Sequence, residues 1–128
     1  MISSQEKREL LLEEESKKPN FIAHFFFNDN RAWNLEVKMF RTEKPGELSI
    51  GWKECSRLEE VSEINRHRVC QSRSAARSFV RSCVLPTDDF EREMFLEAVG
   101  DWRKIEHVAH VLERIDNFFK TEIGNVQG

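Results

Sequence analysis

Apolar side chains along this chain follow two different periods. Every second position is apolar through Trp33, Leu35, Val37 and Met39, and Leu48, Ile50 and Trp52 repeat the pattern. A period of two turns one face of a strand toward a core and the other toward solvent. A run of residues 21–27 precedes them, with Phe21, Ala23, Phe25 and Phe27 as the expected inward set and Ile22 and Phe26 opposite. Asn28-Asp29-Asn30 supplies turn residues that tolerate positive φ, and Pro45-Gly46 fits the centre of a type II turn. Two short connections between alternating runs predict a three-stranded antiparallel meander over residues 21–27, 33–41 and 47–53.

Elsewhere the period is that of a helix. Trp102, Ile105, Val108, Leu112, Ile115 and Phe119 recur at intervals of three and four and predict a long amphipathic helix. Thr87-Asp88-Asp89 caps a helix before it, carrying Phe90, Met94 and Phe95, and Gly100-Asp101 reads as stop and restart. Ser56-Arg57-Leu58-Glu59 has the form of a capping box, opening a helical stretch to about Val84 that breaks near Gln71-Ser72. Ser3-Ser4-Gln5-Glu6 is a second such box, beginning a short helix over residues 4–17 whose apolar content is Leu10, Leu11 and Leu12. The predicted order is α-β-β-β-α-α-α, an α+β fold with helices on one face of a small sheet. No repeat or linker divides residues 1–128, and that length fits a single domain.

Composition changes this picture mainly through charge. The net charge is −3, which argues against a strongly basic nucleic-acid binder but allows a local basic patch. Between Ile64 and Leu85 the chain carries Arg66, Arg68, Arg73, Arg77 and Arg81 with no Asp, Glu or Lys. From Pro86 onward ten acidic residues face five basic ones. On a helical wheel Arg66, Arg73, Arg77 and Arg81 fall within an arc of roughly 80° beside the apolar face of Val69, Ala76, Phe79 and Cys83, and Arg68 points elsewhere. A guanidinium pairs bidentately with carboxylate or phosphate. The stripe therefore either meets an external anion or pairs with Glu91, Glu93, Glu97, Glu106 or Asp116 of the following helices.

The second sheet face is expected to show Ile22, His24, Phe26, Asn34, Glu36, Lys38 and Phe40, with Phe26 and Phe40 paired across the hairpin. Such a face is covered by the N-terminal helix or a second copy, or it stacks bases. Cys55, Cys70 and Cys83 lack metal-ligand spacing and read as reduced thiols. With no apolar leader or membrane-length run, a soluble, cytoplasmic protein is expected.

Catalytic signals are weak. Glu106-His107-Val108-Ala109-His110 places two histidines three apart, short of a metal set, on what the wheel makes a solvated helix face. His67 and Cys70 also lie three apart, with no orienting acid or oxyanion hole in view. No glycine-rich phosphate loop occurs. The sequence therefore points to a non-catalytic protein-binding module without metal or cofactor, acting as a small regulator, inhibitor or chaperone. It would engage an acidic partner through Arg66, Arg73, Arg77 and Arg81, with Phe26 and Phe40 as apolar contacts, and could form a homodimer. RNA or single-stranded DNA binding through the same arginines and sheet aromatics is the alternative.

Overall fold

Alternation along the first half of the chain builds a sheet, and the helical periods of the second half cover one side of it. The structure, a computed structural model, describes residues 17, 19–29, 32–57 and 62–127. Four strands, β1 (Phe21–Asp29), β2 (Trp33–Arg41), β3 (Leu48–Ser56) and β4 (Ser62–Cys70), pair antiparallel in sequence order. Three helices follow: α1 (Arg73–Val84), α2 (Asp89–Val99) and α3 (Asp101–Gln127). The α+β class is as predicted, but the sheet has four strands where the sequence predicted three. The helix expected over residues 4–17 lies outside the described residues, which begin with Lys17.

The fourth strand takes the place of the first half of the expected 56–84 helix. Ser56 ends β3 and donates its hydroxyl to the Met94 carbonyl at 2.9 Å, so it does not cap a helix. Strand β4 is an edge strand paired on one side with β3, and its only apolar residues are Ile64, Val69 and Cys70. Its outer face is exposed and its helix-side face only partly buried and bearing Arg66 and Arg68, so the apolar alternation that betrayed its neighbours is missing. Ile64, Arg66, Arg68 and Cys70 share the helix-side face with Leu48, Ile50, Trp52 and Glu54 of β3. The break expected near Gln71-Ser72 is where α1 begins. Ser72 is its N-cap, its side chain accepting from the Ala75 N–H.

The turns follow their residues. The Ala32 N–H reaches the Asp29 carbonyl at 3.2 Å to close β1 onto β2. Between β2 and β3, Gly46 adopts a φ of 75°, which an L side chain rarely takes. Thr42 Oγ1 there accepts from the Lys44 N–H and donates to Glu47.

Strand β1 departs from simple alternation. Phe21 pairs with Phe40 and Ala23 with Met39, so Ile22 is the extra residue of a bulge. Ile22 is therefore buried with the core, and Phe21 points to the opposite face, its ring edge-on to Phe40 with centroids 5.9 Å apart. Both assignments reverse the expectation. Ala23, Phe25 and Phe27 pack against the core as predicted.

The core lies between the sheet and the helices. Trp33, Leu35, Val37 and Met39 of β2 and Leu48, Ile50 and Trp52 of β3 meet Phe79 and Val80 of α1, Phe95 of α2 and Val111, Ile115 and Phe119 of α3. Each such side chain contributes about 1.5–3 kcal/mol on full burial. A buried polar pair is built into this layer. Glu54, 3 % exposed, accepts from the Trp33 indole at 2.7 Å and the Trp52 indole at 3.1 Å. The fully buried Lys104 of α3 meets the same carboxylate at 2.8 Å and donates to the Cys83 carbonyl at 3.0 Å. With every polar atom engaged, this pair fixes α3 to both β3 and the end of α1.

Candidate anion-binding face

The arginines of the stretch divide between two elements. Arg66 and Arg68 lie on β4, and Arg73, Arg77 and Arg81 on α1. The four-residue helical stripe that included Arg66 is therefore corrected: Arg66 stands on a strand, apart from the helical three.

Arg66 is directed toward the chain's own second half. It pairs with Glu91 in the first turn of α2 and also lies against the Ser82 carbonyl and Cys83. Burial opposes its charge, but hydrogen bonds with Glu91 and Cys83 and attraction to both outweigh that and raise its pKa. The same burial pushes the Cys83 thiol up, against the lowering effect of Arg66. Arg66 is thus a tether between β4 and α2. Arg68 lies over the Phe79 ring, 5.6 Å from its centroid.

Arg73, Arg77 and Arg81 occupy successive turns of α1 and point outward with Ser74 and Ser78 between them. These five residues line a shallow groove of about 410 Å³. Arg73 reaches Asp116 of α3 at 2.8 Å, and Arg77 binds both oxygens of the same carboxylate at 3.0 and 2.9 Å. Burial alone would raise the Asp116 pKa, yet the hydrogen bonds and charges of Arg73 and Arg77 hold it below the ordinary aspartate value. Arg81 makes no ion pair among the described residues. Its place in the last turn of α1 lets its charge oppose the helix dipole. Of the five acidic residues proposed as internal partners, Glu91 and Asp116 are used by the arginines.

The sheet's other face does not bring Phe26 and Phe40 together. Phe26 stands opposite Glu36, and Phe40 opposite Phe21, two rows away. His24 holds Glu36 at 3.0 Å with its side chain 3 % exposed, and Cys55 on the same face is buried.

The histidine and cysteine candidates are also dispersed. His107 is not on a solvated face: its ring stacks on Phe27 and Trp33, with centroids 5.0 and 5.9 Å away. Its Nε2 lies 3.8 Å from Asp29, which Arg103 already binds. His110 is exposed. His67 and Cys70 sit on opposite faces of β4, His67 bonded to Ser49 at 2.6 Å and Cys70 buried at the core. No group of His, Cys, Asp or Glu among the described residues could hold a metal ion. No helix of the described residues is long and apolar enough to cross a membrane.

The apolar period that predicted α3 includes Trp102 and Ile105, which are 85 % and 40 % exposed. The wheel of α3 carried the missing signal. Val108, Val111, Ile115 and Phe119 define its buried arc, and Trp102 falls about 100° outside it. No protein-family model, curated protein or solved structure matches the chain.

Proposed function

We propose that the protein is a non-catalytic protein-binding module, a small regulator, inhibitor or chaperone, which engages an acidic partner surface through the outer face of α1. The observation that carries this reading is a charge mismatch. Arg73, Arg77 and Arg81 present three guanidinium groups along one groove, and one carboxylate, Asp116, lies among them. Two positive charges remain for an external anion. Ser74 and Ser78 keep the helix surface low between the arginines and add hydroxyl donors. Arg66 leaves the proposed contact set because Glu91 already holds it. Phe26 and Phe40 leave it because they neither adjoin each other nor share a face with the arginines.

The test is a titration with a poly-glutamate peptide at low salt, alongside a mixed-sequence single-stranded oligonucleotide. Binding of the peptide, weakening as salt rises, and its loss in Arg77→Glu/Arg81→Glu are the expected results. Tighter binding of the oligonucleotide through the same arginines would transfer the site to the nucleic-acid reading, with a salt slope set by the phosphates engaged. No binding of either probe would defeat both readings.

A further inference from the structure

Strand β4 leaves one of its edges open. It pairs with β3 along Ser62–Cys70 without a register shift, and among the described residues it makes no other backbone hydrogen bond. In an antiparallel pair, alternate residues turn both N–H and C=O away from the neighbouring strand. About half of β4 therefore offers both groups outward. The opposite edge of the sheet is guarded. Strand β1 carries the bulge at Ile22, whose carbonyl accepts from Arg114 of α3 at 3.1 Å, and Asp29 at its end binds Arg103. Bulges and covering elements are how sheets blunt an edge, and the outer edge of β4 has neither among the described residues.

The side chains of β4 select what can pair there. On the face away from the helices it presents Glu63, Asn65 and His67, all exposed. This triplet is self-complementary when read against a second β4 running antiparallel. With Asn65 opposite Asn65, Glu63 faces His67 and His67 faces Glu63. On the helix side the same register sets Arg66 opposite Ile64 and Arg68 opposite Ser62, so no arginine meets an arginine. Centring the pair on Arg66, His67 or Arg68 instead brings arginines directly opposite each other, which is destabilising. Centring it on Ile64 leaves residues 62–66 of the strand to pair, against 62–68.

We infer that β4 pairs with β4 of a second copy, joining the two sheets into one across a twofold axis beside Asn65. That axis is perpendicular to the sheet, so the helices of both copies lie on the same side of it. The groups that meet have capacity for the contact. Glu63 accepts from Asn65 at 3.1 Å and lies 3.8 Å from Lys53, and a carboxylate keeps further acceptor sites for His67 of the second copy. His67 engages Ser49 through Nε2, which leaves Nδ1 for that contact. Above the junction, Phe79 of α1 lies against Arg68, and the flank of α1 beyond it on the wheel is Ala75, Ser78 and Ser82, exposed and short. A strand of another protein would meet the same backbone groups. The triplet Glu63, Asn65 and His67, however, is matched by the chain's own sequence. Arg73 and Arg77 lie on the other flank of α1, toward Asp116, so binding of an acidic partner there does not depend on this junction.

Sedimentation equilibrium of the intact protein, from micromolar to near-millimolar concentration, is expected to show a monomer–dimer equilibrium. Asn65→Asp sets two carboxylates opposite each other at the axis and should weaken the dimer at least about tenfold, with circular dichroism unchanged. Cysteine crosslinking reads the register. Opposed Cα atoms of an antiparallel pair lie about 4.5–5.5 Å apart, within disulfide reach, and the native thiols are buried. With oxidised glutathione as electron acceptor, Asn65→Cys should yield a covalent dimer. Glu63→Cys and His67→Cys should each fail alone, because like positions lie roughly 14 Å apart, whereas Glu63→Cys/His67→Cys should crosslink. A protein that stays monomeric at every concentration overturns the inference. A dimer that Asn65→Asp leaves intact, or one in which Asn65→Cys remains uncrosslinked, overturns it as well.

Discussion

At the scale of single residues, Asp116 shows how an apparent binding signal is partly consumed inside the molecule. It satisfies two arginines that the sequence leaves without partners, and the third, Arg81, lies beyond its reach. Because its folded pKa is depressed, Asp116 stabilises the fold above its ordinary value of about 3.9, and that contribution is lost as pH falls through the folded value. Carboxyl chemical shifts followed through an acid titration should show Asp116 titrating below that value. In Arg77→Gln the midpoint should move upward, because one of the two guanidinium groups that lower it is gone. Arg81→Gln should cost no more than about 1 kcal/mol in denaturant unfolding, the worth of a cation in the last turn of a helix, because the side chain makes no ion pair among the described residues. At the thiols burial prevails over the neighbouring charges. Cys70 and Cys83 are raised by desolvation, only partly offset by Arg68 and Arg66. A thiol reagent at mildly alkaline pH should leave both unmodified until the protein unfolds.

At the scale of elements, α3 is positioned by a charge buried in the core. Lys104 was one more basic residue in the sequence, yet it is fully buried against Glu54 and Cys83. Lys104→Met should cost about 3–5 kcal/mol in denaturant unfolding, because it strands the Glu54 carboxylate in the core. Adding Glu54→Gln should recover most of that loss, since a glutamine oxygen still accepts from the Trp33 and Trp52 indoles. What the sequence disclosed follows from how strongly each element separates its faces. Strands β2 and β3 bury one face completely, so alternation located them to within a few residues. Strand β4 is exposed on one face and mostly half-buried on the other, where Arg66 and Arg68 stand, so its residues fit a helix equally well. That single misreading moved Arg66 from strand to helix and made four arginines look like one stripe. The bulge at Ile22 is a backbone event, which no side-chain period records.

At the scale of the whole molecule, the basic stretch between Ile64 and Leu85 and the acidic segment after it are folded against each other. Arg66 joins Glu91, and Arg73 and Arg77 join Asp116, so much of the charge separation in the sequence becomes internal pairing. What survives on the outside is the arginine face of α1. The most direct measurement is amide chemical-shift mapping of the intact, isotope-labelled protein as poly-glutamate peptide is added at low salt. The account predicts saturable shifts concentrated on residues 73–82 and on the adjoining turn of α3 around Asp116, absent in Arg77→Glu/Arg81→Glu. Shifts confined to the sheet face away from the helices, or none along α1 at saturating peptide, would contradict it.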